Sequence, residues 1–316
     1  MHTIKIVKLK FAKDTVELCS FDLEPAQVDQ RETLNKFAKS LGLETVNIGV
    51  SGPQTIIRYV SFPRMSEDEL RQSLKFEAQK HIPFSLAEIN LDSYILKEDL
   101  PDNKMLVLLA AVKKELIDKR LRFIEGSGLK VNIADIDSLA LINAFNFNYA
   151  QDDFLKQKAI ALLNIGASLT NLNILENGIP RLSRDMHIAG NSITQKLIDV
   201  LGIDFKSAEE LKNNPDSVRV DKVTQAFESA LTNLAGEIKV SFDYFESQGT
   251  ASVAKILLNG GSCKFAGLKD ILANLLGIEV ECWDPLKLLN LSNKIDAHKA
   301  KDYSNQLSVA VGLALR

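Results

Sequence analysis

Twice along its length the chain sets a group of short strand-forming segments before a group of helices, and this alternation limits the fold more than any other feature. Residues 4–11 and 15–23 mix apolar and polar side chains at near period two. Ala12-Lys13-Asp14 lies between them, so the pair reads as a hairpin. A helix follows over 28–41, with Leu34, Phe37, Ala38 and Leu41 three or four residues apart and Gly42 as its stop. Strands are expected over 46–50 and 55–62. Ser66 and Glu69 form an S-x-x-E capping box that opens a helix running to His81. Strands over 91–97 and 105–112, a helix over 114–125, a strand over 130–134 and a helix over 137–147 complete the first half. The polar stretch 149–158 is the expected boundary. A meander then runs over 159–165, 169–175 and 179–188, and Asn177-Gly178 is a strong tight-turn signal. Helices are expected over 192–201, from a second capping box at Ser207 to Glu210, and over 221–245. The last of these carries a stripe of Val223, Phe227, Leu231, Leu234, Ile238, Phe242 and Phe245 that belongs to a core. A strand over 255–258, a helix over 268–276, a strand over 278–282 and a helix over 304–315 close the chain. Both halves read as opening on a β-meander, without the regular βαβ spacing of a barrel. The pattern predicts a two-lobed α/β protein with mixed β-sheets flanked by helices.

Composition narrows the function. A length of 316 residues suits about two domains. Lys+Arg 38 against Asp+Glu 41 leaves a net charge of −3, without the basic excess that gripping phosphate backbones requires, so nucleic acid is not an expected partner. The longest uninterrupted apolar run, MLVLLAAV at 105–112, is far short of the about 20 residues of a membrane span. The opening MHTIK lacks the apolar core of a signal peptide, and the expected location is the cytoplasm. Cys19, Cys263 and Cys282 form no CxxC pair and read as reduced, packed thiols. His2, His81, His187 and His298 are equally scattered, so neither a metal site nor a catalytic nucleophile is expected.

Two glycine turns can carry chemistry. Asn164-Ile165-Gly166-Ala167-Ser168-Leu169-Thr170 lies between apolar strands, where small residues let backbone N–H groups approach a phosphate and Ser168 and Thr170 offer hydroxyls. Asn259-Gly260-Gly261-Ser262 follows a buried strand and permits close approach of a nucleotide. Neither is a G-x-G-x-x-G or a P-loop. The acidic pairs Asp152-Asp153 and Glu209-Glu210 and the run Glu67-Asp68-Glu69 suit helix starts. The run 299–302 reads as a solvated loop, and Trp283 as partly buried core.

These segments together resemble the type IV pilus assembly protein PilM family. Residues 161–212 (ALLNIGASLTNLNILENGIPRLSRDMHIAGNSITQKLIDVLGIDFKSAEELK) match its central motif at Ile165, Gly166, Ala167, Thr170, Gly178, Arg184, Gly190, Thr194, Ala208, Glu209 and Lys212. Residues 58–96 (RYVSFPRMSEDELRQSLKFEAQKHIPFSLAEINLDSYIL), 257–272 and 310–316 (AVGLALR) match its other segments in order. The resemblance implies an actin-like ATPase fold, as in the cell-division protein FtsA. Subdomain 1A would take 1–51 and 134–157, 1C 52–133, 2A 158–191 and 250–316, and 2B 192–249. It makes Gly166, Ala167, Ser168 and Thr170 a phosphate loop and Gly260, Gly261 and Ser262 an adenosine loop, with Glu209 and Lys212 on the nucleoside and ATP with Mg as the implied cofactor. It implies a connector on the cytoplasmic face of the inner membrane. That connector would hold the tail of a PilN-like membrane protein between 1A and 1C and meet other pilus assembly proteins, in a pilus, secretion or DNA-uptake machine.

Three departures bear on the nucleotide. Members begin with a strand and loop of the type iGiDiGsssiK, whereas this sequence starts at TIKIVKLKF. The Asp before the phosphate loop is Asn164 here, and the usual Gly-Gly is Gly190-Asn191. Each is expected to weaken hydrolysis, and the first to weaken ATP binding, so weak or absent turnover is the expectation. Two alternatives are an actin-fold ATPase or sugar-kinase-like enzyme, suggested by the two glycine turns, and an FtsA-like filament, for which the C-terminal residues carry no amphipathic tail.

Overall fold

The computed structural model describes residues 3–13, 15–25, 29–213, 220–249, 251–265 and 267–316. Asp14 and Val28, read as a turn residue and a helix start, lie outside them. The N-terminal hairpin forms: β1 (Thr3–Phe11) and β2 (Val16–Pro25) pair antiparallel with a bulge at Lys8/Leu9. In α1 (Gln30–Leu41), Asp29 accepts from the N–H groups of Arg31 (2.9 Å) and Glu32 (3.3 Å), and Gly42 ends the helix in the left-handed region. β3 (Thr45–Val50) and β4 (Thr55–Pro63) lead to α2 (Glu67–Ala78), whose capping box is present: the Ser66 N–H donates to the Glu69 carboxylate at 2.7 Å, and the Glu69 N–H to Ser66 Oγ at 3.3 Å. β5 (Ile89–Leu100), β6 (Lys104–Lys113), α3 (Lys114–Glu125), β7 (Lys130–Ile136) and α4 (Asp137–Tyr149) follow. The polar boundary holds a short helix, α5 (Asp153–Gln157), which the sequence did not reveal.

The first half is not the meander its strand signals suggested. β3 pairs parallel with β7, and β4, β6 and β5 form a separate antiparallel sheet with β6 in the middle. Burial explains the arrangement. Met105, Val107, Leu109 and Ala111 of β6 pack under α2, while Leu108 and Val112 pack on the opposite face with Val50, Ile57 and Ile136. A strand apolar on both faces needs cover on both, which a central position gives it.

The second half forms as β8 (Ala159–Ile165), β9 (Thr170–Glu176), β10 (Ile179–Met186), α6 (Gly190–Leu201), α7 (Phe205–Asn213) and α8 (Val220–Ser247). β11 (Val253–Asn259), α9 (Leu268–Leu276), β12 (Glu279–Cys282), β13 (Asn290–Leu291), α10 (Ala297–Tyr303) and α11 (Ser308–Ala314) complete it. The sheet order is β10-β9-β8-β11-β12; the first three strands are antiparallel, and β8, β11 and β12 parallel. Asn177 and Gly178 both take positive φ, as the tight turn requires. Ala161, Leu163 and Ile165 of β8 face a core built with α6 to α9, and Ile160 and Leu162 face a second core with α4, α11 and Trp283. Burial on both faces makes this strand apolar at nearly every position, each Leu or Ile contributing about 1.5–3 kcal/mol.

Three local readings are corrected. α7 starts at Phe205, and its cap is Asp204 rather than Ser207, because the Ser207 hydroxyl donates to the Asp204 carboxylate (2.7 Å) and its N–H does the same (3.0 Å). The run 299–302 is helical within α10, capped by Asp296 through the N–H of His298 (2.8 Å). The C-terminal helix is split into a 3-10 turn, Ser304–Gln306, and α11. Trp283 is core, 3% exposed and edge-on to Phe145 and Tyr149. The chain returns to its beginning at the end: β13 pairs parallel with β2, and α11 packs on α4 so closely that a Cβ at Gly312 would lie 1.7 Å from the Ala140 carbonyl oxygen.

Candidate functional site

β8 and β11 are parallel neighbours with Asn164 opposite Asn259, so the turns that follow them leave the sheet side by side at their C-terminal ends. In open α/β sheets this edge is where ligands bind. The β8–β9 turn is closed by Gly166 N–H donating to the Leu169 carbonyl at 2.9 Å. The start of α6 packs on it, with the N–H of Gly190 donating to the Gly166 carbonyl (3.0 Å) and that of Asn191 to the Ala167 carbonyl (2.7 Å). A Cβ on Gly190 would come within 3.0 Å of both that carbonyl and Ser262 Oγ. Gly260 has φ 104°, and a Cβ there would sit 2.4 Å from the Ile165 carbonyl oxygen. Glycine is therefore demanded at 260 by conformation and by space.

A cavity of about 950 Å³ opens over these turns. Of the residues the sequence singled out, Gly166, Ala167, Glu209, Lys212, Gly261 and Ser262 line it. Gly260 is not among the lining residues. Ser168 sits exposed at the tip of its turn, and the buried Thr170 hydroxyl is committed to the Ile188 carbonyl at 2.7 Å, so neither is among the lining residues. The fold adds Lys206 of α7, Lys264 and Phe265 after β11, and Asp302 and Tyr303 of α10. Lys264 lies over the Tyr303 ring, 4.1 Å from its centroid. Sequence reasoning missed these residues because no spacing rule links three separate segments.

Lys212 and Glu209 form the electrostatic centre of the wall. The Lys212 side chain is 3% exposed and pairs with the Glu209 carboxylate; its ammonium donates to Thr194 Oγ1 at 2.7 Å and stands 4.6 Å from the Phe265 ring centroid. Thr194 Oγ1 also bonds the Gly190 carbonyl at 3.0 Å and Glu209. Burial pushes the Lys212 ammonium below its ordinary range, opposed by Glu209. Burial works against ionising Glu209 too, but the hydrogen bonds from Lys212 and Thr194 outweigh it and hold the carboxyl below its usual value.

Behind the turn runs a polar chain. The Asn164 amide donates to Asn171 Oδ1 at 2.8 Å, the Asn171 amide donates to Asp185 at 2.7 Å, and Asp185 accepts the Gly52 N–H at 2.8 Å from the other half of the molecule. Tyr59 and Ser183 add a 2.8 Å hydroxyl pair across the same junction. Asp137, at the start of α4, lies close by. Burial raises its carboxyl above the ordinary range against a hydrogen bond from Ser51; Asp185 adds to the rise, and Arg120 and Lys5 oppose it. No group of three or more His, Cys, Asp or Glu side chains placed to hold a metal occurs among the described residues.

A second concavity, about 600 Å³, lies between α1 and α3. Gln30, Arg31, Leu116, Lys119, Arg120, Arg122 and Phe123 line it. Its rim is cationic and its floor apolar.

Two halves built on mixed sheets, joined by Asp185 and by the returning C-terminal helix, with a cavity at the ends of parallel strands, make up a two-lobed α/β fold. The chain belongs to the type IV pilus assembly protein PilM family, whose family model matches residues 3–316. Its fold is similar to that of a chain in a structure described as a PilM-PilN type IV pilus biogenesis complex, with TM-score 0.85 and 24% identity, covering 99% of this chain and 95% of that one. It is 20% identical over 200 residues to the cell division protein FtsA of Staphylococcus epidermidis, covering 56% of this chain and 42% of that protein, so it spans less than half of that relative. It also matches the ethanolamine utilization protein EutJ of Carboxydothermus hydrogenoformans, with TM-score 0.43 and 17% identity over 61% of this chain and 59% of that one. Among the described residues no helix is long and apolar enough to cross a membrane.

Proposed function

We propose that this chain is a connector of a type IV pilus or related secretion or DNA-uptake machine, seated on the cytoplasmic face of the inner membrane. It would hold the N-terminal tail of a PilN-like membrane protein there. The observation that carries the reading is the family match over 3–316. The subdomain division 1A (1–51, 134–157), 1C (52–133), 2A (158–191, 250–316) and 2B (192–249) places α1 in 1A and α3 in 1C. The groove between these helices is then the candidate seat for the tail, with Arg31 and Lys119 on its exposed rim and Leu116 and Phe123 on its floor.

The same reading gives the larger cavity to an adenine nucleotide. Gly261 leaves backbone open to phosphate, Lys206 and Lys264 offer positive charge, and Glu209, Lys212 and Phe265 line the wall beside the nucleoside. The residues present do not suit a magnesium ion there. Asn164 directs its amide N–H at Asn171, and an amide supplies none of the negative charge that holds a hard cation. Impaired binding with little or no turnover is the expected behaviour.

A peptide of the PilN-type N-terminal tail, titrated against the whole protein by fluorescence anisotropy, tests the main reading. Binding that weakens at least fivefold in Arg31→Glu and Lys119→Glu supports the α1–α3 seat, since rim charges act on encounter and register. No binding with or without ATP would sink the connector reading. Steady phosphate release from Mg-ATP would favour the enzyme instead.

A further inference from the structure

Cys263 and Cys282 stand apart in the sequence and meet in the fold. β11 and β12 run parallel with Leu258 opposite Cys282. β11 ends at Asn259, and the chain turns through Gly260 into the short helical turn Gly261–Lys264. Two bonds pin the base of that turn to the end of β12: the Trp283 N–H donates to the Leu258 carbonyl at 3.3 Å, and the Asn259 side-chain amide to the Trp283 carbonyl at 3.2 Å. That pinning sets the turn that carries Cys263 beside Cys282, where each thiol acts on the ionisation of the other. Gly261, Ser262 and Lys264 line the large cavity, whereas Cys263 packs into the apolar core with α9 on the other side.

We propose that Cys263 and Cys282 are a reversible disulfide site, closed by hydrogen peroxide, that staples the cavity-wall turn to the end of β12. The two sulfurs are unequal in the way such a pair needs. Cys282 is exposed, and its hydrogen bond from Cys263 brings its thiol down to about 7, helped by Lys269 against burial and Glu281. Cys263 is held up by that same Cys282 partner and by burial. The Cys282 thiolate attacks one oxygen of the peroxide; the O–O bond breaks, the other oxygen leaves as hydroxide and takes a proton to become water, and Cys282 becomes a sulfenic acid. The sulfur has lost two electrons and the peroxide has gained them. A neutral sulfenic acid no longer raises the Cys263 thiol. Cys263 then attacks the Cys282 sulfur, the S–O bond breaks as S–S forms, and the departing hydroxide takes the Cys263 proton as a second water. A dithiol reductant reverses the step. In a reducing compartment disulfides that form are mostly transient and redox-sensing.

The test uses the whole wild-type chain and does not depend on what fills the cavity. After brief hydrogen peroxide treatment and alkylation, non-reducing peptide mass spectrometry should find the Cys263 and Cys282 peptides joined and Cys19 alkylated, with dithiothreitol restoring both thiols. Amide hydrogen exchange over 261–265 should slow on the order of tenfold or more in the oxidised protein, because closing a loop of about twenty residues opposes local opening. Cys19→Ser should behave as wild type, and Cys263→Ser should leave Cys282 over-oxidised or linked between molecules. In the wild-type chain, Cys282 over-oxidised with Cys263 still alkylated, or Cys282 linked only between molecules, would overturn the pairing. A joined pair with unchanged exchange over 261–265 would overturn the staple.

Discussion

Replacing Gly260 by alanine separates the two demands made at the cavity wall. The residue has φ 104° and ψ 171°, a region essentially closed to side-chain-bearing residues, and forcing it costs about 1–3 kcal/mol. The new Cβ would stand 2.4 Å from the Ile165 carbonyl oxygen and 2.8 Å from Asn164 Oδ1. Relieving that overlap means moving the end of β8 from the turn after β11, a further cost of about 1–3 kcal/mol. The sum is roughly 2–6 kcal/mol. Gly277→Ala is the matched control: its φ is 69°, but nothing lies within 4 Å of its Cβ, so only about 1–2 kcal/mol of backbone strain applies. Trp283, the chain's one tryptophan, is buried beside the affected turn and reports urea unfolding by fluorescence. The expected result is a Gly260→Ala loss exceeding that of Gly277→Ala by about 1–3 kcal/mol, the overlap term alone. Equal losses in the two variants would refute the close approach of the strands at this point.

Three further outcomes follow from the same geometry. Lys212→Met removes the ammonium that pairs with the half-buried Glu209 carboxylate and should destabilise by about 3 kcal/mol, while Lys212→Met with Glu209→Gln should recover most of the loss in a double-mutant cycle of urea midpoints. Because the folded carboxyl of Glu209 lies below its unfolded value, its stabilisation is complete above the unfolded carboxyl range near pH 4.5 and disappears as the pH falls through the lower folded value; Glu209→Gln should flatten that part of a stability profile measured from pH 7 to pH 3. Gly312→Ala must push α11 off Ala140 of α4 and should lower the melting temperature by roughly 5 °C or more, whereas Gly236→Ala, with open space on α8, should be neutral or slightly stabilising.

Much of the candidate site was legible because its signals are local. Gly166, Gly190 and Gly260 mark places where backbone must approach backbone, and each proves crowded there. Glu209 and Lys212, one helical turn apart, pair as that spacing permits. The failures share a cause as well. Ser207 fits a capping pattern, but Asp204 is the stronger acceptor and takes its hydroxyl. The charges of 299–302 read as loop, yet Asp296 caps them into a helix whose Tyr303 reaches the cavity.

The sequence by itself determined most of the helices and strands and the tight turns, because spacing of three or four residues, spacing of two, and the need for positive φ are properties of neighbouring residues; its ordered motifs carried the resemblance to the family. Tertiary structure alone decided that β3 pairs with β7 and that β13 joins β2. It alone brought Lys206, Lys264 and Tyr303 into one cavity and set the Cys263 turn beside the end of β12. The physical reason is that hydrogen-bonding edges are alike along any strand. Partners are chosen by which apolar faces can be covered at once, and that choice involves the whole chain.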